Sequence, residues 1–271
     1  MQGLKDFIPT EVKAQYLNQL LKVGFDTLDF GSFVSPKAIP QMRDTAEVLR
    51  LLKWDTPTRL LAIVANLRGA RDACSHEQIS YLGYPFSISE TFQIRNTNAT
   101  IEESLDRVEL IRELTLQSGK ELVIYISMGF GNPYGDPWNY EIVQYWIQRL
   151  SALDIRIFQL SDTIGVSTPD NISYLFEHLL PRFPKLEIGA HLHTTPAGWR
   201  EKIEAAWNSG CRRFDGAIRG YGGCPMAKDE LTGNMPTEKM LSFFHEKGIP
   251  TGLDMQAFQK ALEMAAKVFP H

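Results

Sequence analysis

Strand-like and helix-like patterns alternate along this chain from end to end, and that regularity restricts the fold more than any single motif does. Short apolar and β-branched runs at residues 27–33, 60–65, 82–88, 122–127, 155–160, 186–191 and 213–218 read as seven strands. Between them lie stretches with helical spacing, such as residues 100–116 and 138–150. Strands that alternate with helices pair in parallel, because a parallel connection needs a crossover of helical length. The 271 residues are close to the roughly 250 of a typical (β/α)8 barrel, and 44% of them are hydrophobic, enough for one sizeable core. No Gly/Ser linker, low-complexity stretch or charge block marks a boundary, so residues 1–271 are expected to form a single barrel domain. The pattern opens on a helix, capped by Thr10, with Val12, Tyr16, Leu20 and Leu21 on its apolar face and Gly24 as its stop. A barrel built from seven strands and a leading helix is one strand short of closure and leaves two unpaired edges.

Composition removes several function classes. A net charge of -4, without a basic run long enough to track phosphates, argues against a nucleic-acid partner. The apolar run Leu60-Leu61-Ala62-Ile63-Val64-Ala65 falls far short of the roughly 20 residues that span a bilayer, so no membrane role is expected. Three scattered cysteines, Cys74, Cys211 and Cys224, form no disulfide framework and fit a reducing cytosol.

Two clusters carry chemistry. In Gly220-Tyr221-Gly222-Gly223-Cys224-Pro225 a thiol stands on a loop of glycines after the last strand, where backbone can approach a ligand closely. The same thiol reads equally well as a small buried hydrophobe followed by Pro225. His191 and His193 are two residues apart at the carboxyl end of a strand, and a period of two turns both imidazoles to one side. With a carbonyl oxygen from Asn234, two nitrogens and open water positions suit Mg²⁺ or Mn²⁺ better than a closed zinc site.

Polar residues gather at the same ends of the other strands: Asp29 and Ser32, Asn66, Glu90 with Asn96 and Asn98, Ser127, and Ser161-Asp162-Thr163. Taken singly, Asp162 is a turn or cap, Asn96 and Asn98 are loop residues and Asp29 is a solvated strand-end carboxylate. In a barrel all of them converge on one mouth.

Ser32-Phe33-Val34-Ser35-Pro36-Lys37 with Pro40-Gln41-Met42, Ser161-Asp162-Thr163-Ile164-Gly165-Val166, the His-x-His pair, the Gly-Gly-Cys-Pro loop and Gly233-Asn234 resemble, in this order, the hydroxymethylglutaryl-CoA lyase family of the DRE-TIM metallolyase superfamily. The resemblance covers almost the whole chain. It implies an α/β fold, a TIM (β/α)8 barrel with C-terminal helices. It implies that His191, His193 and Asn234 hold a divalent metal, that Cys224 is the active-site loop cysteine, that Asp162 is the catalytic aspartate, and that Gln2 closes the family's RDxxQ motif. Asp29 stands in place of a family glutamate and joins the catalytic candidates. Gln2, Lys5, Ser32, Asn96 and Thr163 are the candidate substrate-binding residues. There are departures. The family's arginine and metal-binding aspartate fall just before Met1, so an N-terminally truncated chain lacking the first barrel strand is expected. Thr194 replaces an acidic residue, and Arg219 and Tyr221 add bulk and charge beside the thiol.

The activity so implied is cleavage of 3-hydroxy-3-methylglutaryl-CoA, or a close acyl-CoA, to acetyl-CoA and acetoacetate in leucine degradation. Expected with it are a cytoplasmic location, an acyl-CoA as the bound partner, and an oligomeric state that a homodimer would satisfy. Two other readings stay open: another superfamily aldolase or Claisen-type condensing enzyme, against which the loop thiol argues, and a catalytically silent metal- or CoA-binding protein.

Overall fold

The computed structural model describes residues 6–222 and 232–269. In chain order these form α1 (Thr10–Leu21), β1 (Thr27–Ser32), a 3-10 turn (Pro40–Met42), α2 (Thr45–Arg50), β2 (Arg59–Ile63), α3 (Leu67–Cys74), β3 (Ile79–Ser87), α4 (Glu90–Thr97), α5 (Ile101–Gln117), β4 (Glu121–Ser127), α6 (Tyr140–Ser151), β5 (Ile157–Ser161), α7 (Pro169–Arg182), β6 (Glu187–His191), α8 (Trp199–Asn208), β7 (Phe214–Asp215), a second 3-10 turn (Ile218–Gly220), α9 (Thr237–Glu246) and α10 (Met255–Val268).

The strands pair in parallel and in sequence order, β1 to β7, as consecutive βα units must when each crossover returns to the neighbouring position. Asp29 on β1 lies close enough to Asp215 on β7 to perturb its ionisation, so the sheet curls until its ends face each other. Among the described residues no ladder joins those two edges. The result is an α/β fold of the TIM-barrel type. Alternation along each strand divides the apolar side chains. Leu60, Leu82, Tyr84, Phe86, Ile124 and Phe158 belong to the main core, together with side chains from the helices. Leu61, Tyr81, Val123 and Ile157 form a second, separate cluster with Ile63 and Tyr125. That cluster fills the ring like a floor and leaves the space above it, at the carboxyl ends of the strands, as a cup. Helix α10 closes against α1: Asp254 caps α10 through Gln256 N and Ala257 N at 2.9 Å, its own amide donates to Val23 O, and Gln19 donates to Ala257 O.

Several expected elements are corrected here. Thr10 does not cap α1, whose preceding residue is Pro9; its hydroxyl donates instead to Asp44, which also accepts from the buried Lys13 at 2.7 Å. The seventh strand is much shorter than residues 213–218. A side chain at Gly216 would meet Met235 O at 3.0 Å, Ala217 bridges to Pro236, and Ile218 already turns, with Arg219 in the left-handed region at φ 58°. Asn96 lies on helix α4 rather than in a loop, and Asn98, at φ 51°, ends that helix. Asn66 caps α3 by accepting from Gly69 N, and Glu90 accepts from Ile101 N at the start of α5.

Candidate active site

The carboxyl end of β6 sets the centre of the cup. Ile188 and Ala190 are buried in the main core, so His191 turns to the inside of the ring. His191 Nδ1 lies 3.0 Å from Asp215 Oδ2, and the ring meets Tyr125 edge to face at 5.4 Å between centroids. The His193 ring is 5.5 Å from that of His191. His193 pairs through its backbone with Asn234, whose side chain lies near enough to influence the imidazole's ionisation. Asn234 is itself fixed, its amide donating to Gly220 O and its Nδ2 to Tyr221 O, both at 3.0 Å. The three expected metal ligands thus stand together.

Burial, and secondarily the nearby His191, pushes the His193 imidazole down to about 3, so it is neutral at physiological pH. Its Nδ1 is buried with no hydrogen-bond partner. A neutral, desolvated imidazole beside a second imidazole and a carboxamide oxygen is a donor set that a divalent cation accepts without displacing a proton. Among the described residues no three His, Cys, Asp or Glu side chains are arranged to hold a metal. The fit therefore rests on the two imidazoles and Asn234.

The carboxylates divide into two kinds. Asp29 is reachable by water, yet strand atoms enclose it; that enclosure, with Asp215 adding to it, lifts its carboxyl from 3.8 to about 7. Asp162 is the opposite case. Its side chain has 0% exposure, one oxygen accepts from Lys202 Nζ at 2.9 Å and from Ser167 Oγ, and the other accepts from Ser167 N. Lys202 also donates to Gly165 O and His193 O. With three of its acceptor positions occupied in this way, Asp162 ties together the loops after β5 and β6.

Thr163 accepts from Met128 N at 2.9 Å, and Ser32 is buried with its hydroxyl unpaired. Asn96 is half-buried on α4. Gln2, Lys5 and Cys224 lie outside the described residues. The Tyr221 ring packs at 5.3 Å on Phe269, which packs at 5.3 Å on Tyr16. Arg219 is exposed, and its amide donates to Glu238. Sequence reasoning missed Asp215, Gln159, Tyr125 and Lys202. Only the alternation of strands β4, β5 and β7 could have pointed to the first three, since it turns them inward as it turns His191.

The HMGL-like family pattern matches residues 1–265. The chain is 33% identical over 269 residues to a cytoplasmic 3-hydroxy-3-methylglutaryl-CoA lyase of Danio rerio, covering 98% of this chain and 79% of that protein. It is 32% identical to a 3-hydroxy-3-isohexenylglutaryl-CoA/hydroxy-methylglutaryl-CoA lyase of Pseudomonas aeruginosa, covering 96% and 86%. A solved HMG-CoA lyase from Acenitobacter baumannii, in complex with coenzyme A and 3-methylmalate, superposes with a TM-score of 0.91 at 30% identity, covering 98% of this chain and 87% of that one. Since the pattern and these relatives span the strands, the histidine pair and the C-terminal helices alike, the chain belongs to the HMGL-like family, within the DRE-TIM metallolyase superfamily.

Proposed function

We propose that this protein is a divalent-metal-dependent carbon–carbon lyase that cleaves 3-hydroxy-3-methylglutaryl-CoA, or a close acyl-CoA, to acetyl-CoA and acetoacetate. The observation that carries the reading is the convergence of His191, His193 and Asn234 in a cup that also holds the raised carboxyl of Asp29. His191, His193 and Asn234 would hold Mg²⁺ or Mn²⁺, which supplies Lewis-acid polarisation of substrate oxygens when bound. Asp29, titrating near neutrality, takes the proton from the 3-hydroxyl. The C3–O bond becomes a carbonyl as the C2–C3 bond breaks, and the electron pair passes to the thioester as an enolate. Cys224, in the role the family resemblance implies, returns one proton to the enolate carbon to complete acetyl-CoA. Asp162 and Lys202 orient the loop that bears His193. The apolar floor keeps water from reaching the cup from below.

Among the described residues no helix is long and apolar enough to cross a membrane, and several relatives carry cytoplasmic names, which supports a cytosolic setting. A second reading is a catalytically silent metal- or CoA-binding protein, which the same pair of imidazoles beside Asn234 would also serve. One experiment separates the two. The purified chain with Mn²⁺ and 3-hydroxy-3-methylglutaryl-CoA is expected to release acetoacetate, and to lose that release in both His191→Ala and His193→Ala. Metal binding without any thioester cleavage would leave only the silent reading.

A further inference from the structure

Behind His191 runs a chain of contacts through Asp215, the residue that also adds to the rise of the Asp29 carboxyl. Gln159 Nε2 donates to Asp215 Oδ1 at 2.7 Å, and Asp215 Oδ2 faces His191 Nδ1 at 3.0 Å. The three residues sit on adjacent strands, β5, β6 and β7, with Ser161 paired to His191 and His191 paired to Asp215 in register, so backbone ladders set their spacing. Gln159 is fully buried, and its carboxamide presses on Gly189: a Cβ there would lie 2.1 Å from Gln159 Oε1. Glycine at 189 is what admits the carboxamide at all.

We infer that Asp215, held in place by Gln159 over Gly189, is a positioning residue that fixes His191 as the Nδ1–H tautomer and leaves Nε2, on the far side of the ring, as the nitrogen that binds the divalent cation. The physical reason is general. A neutral imidazole donates one N–H, and a carboxylate at one nitrogen decides which nitrogen keeps its lone pair. A carboxylate behind a ligating imidazole also makes it a stronger donor. Gln159 contributes by occupying the second oxygen of Asp215, so that the carboxylate cannot rotate away from the ring. The cation in this inference rests on the metal reading given above; the tautomer does not.

The test uses the whole chain, with Mn²⁺ titration by calorimetry and nitrogen-15 histidine NMR of the metal-free protein, the His191 signals being assigned with His191→Gln. In the unmodified chain His191 is expected as Nδ1–H. In Asp215→Ala it should revert to the Nε2–H form that free imidazole favours, and Mn²⁺ affinity should fall by roughly 10- to 100-fold. Asp215→Asn, whose amide oxygen still accepts from Nδ1–H, should recover part of that loss. Gly189→Ala, which displaces Gln159 and also presses on the Arg213 side chain but removes neither Asp215 nor a ligand, should weaken binding in the same direction, and it serves where Asp215→Ala fails to fold. An unchanged tautomer, or unchanged Mn²⁺ affinity in folded Asp215→Ala and Gly189→Ala, would overturn the inference. If the tautomer shifts but the unmodified chain binds no Mn²⁺, the positioning of His191 stands and the metal reading alone falls.

Discussion

Enclosure within the strand ring lifts the Asp29 carboxyl from 3.8 to about 7, with Asp215 adding to the rise and His191 opposing it. As the base that accepts the hydroxyl proton it must be ionised, so kcat/KM is expected to rise with pH through about 7 and to level off above it. Asp29→Asn should remove that limb of the pH–rate profile and lower turnover by roughly 10²- to 10⁴-fold. For stability the sign reverses. Between 3.8 and about 7 the unfolded chain has lost the Asp29 proton while the folded chain keeps it, so folding is progressively disfavoured as pH rises across that window. Asp29→Asn should therefore melt at a higher temperature than the unmodified protein at pH 8, with the gap narrowing as pH falls toward 4; a variant that keeps the original pH limb, or melts lower at pH 8, would contradict this. The histidine pair could be picked out from the chain because strand period turns both imidazoles to one side, whereas Asp29 became a candidate through the family resemblance. The pairing of Asp162 could not be read from the chain. Its partner is Lys202, forty residues away on α8, and no local pattern announces such a pairing.

At the level of elements, the start of α3 shows how tightly a helix is pressed on the chain leaving β1. Asn66 caps the helix through Gly69 N at 2.9 Å, and a Cβ at Gly69 would come within 2.1 Å of the Phe33 carbonyl oxygen, a backbone atom with little room to yield. In an open helix Gly→Ala is stabilising by about 1 kcal/mol. Here Gly69→Ala is expected to destabilise by about 1–3 kcal/mol, the usual range for overpacking, as measured by the denaturant midpoint. A neutral or stabilised variant would show that α3 can slide away. The strand centres were legible in the sequence because alternation of apolar residues is a local property. The end of β7 was not: residues 213–218 alternate acceptably, but Ala217 and Gly216 pair and pack with the segment at Met235 and Pro236, and that contact comes from the tertiary fold.

For the molecule as a whole, the number and order of the parallel strands follow from the βα alternation, whereas the closeness of β1 to β7 depends on the curl of the entire sheet and shows only in the assembled structure. The floor of Leu61, Tyr81, Val123 and Ile157 is a product of that curl. It also governs traffic. A ring filled at its floor is entered from the carboxyl ends of the strands, and by that doorway whatever enters last departs first. With the scissile end of a thioester seated over the histidines and its long carrier trailing toward solvent, the fragment left on the histidine side is trapped until the carrier-bound fragment has gone. Acetyl-CoA should accordingly leave before acetoacetate. In steady-state product inhibition, acetoacetate is then expected to compete with substrate while acetyl-CoA gives a mixed pattern; the reverse pair of patterns would mean that the smaller product has a second way out. The same doorway sets a size rule for substrates: bulk added to the carrier side costs little, and bulk added to the acyl end meets Leu61 and its neighbours directly.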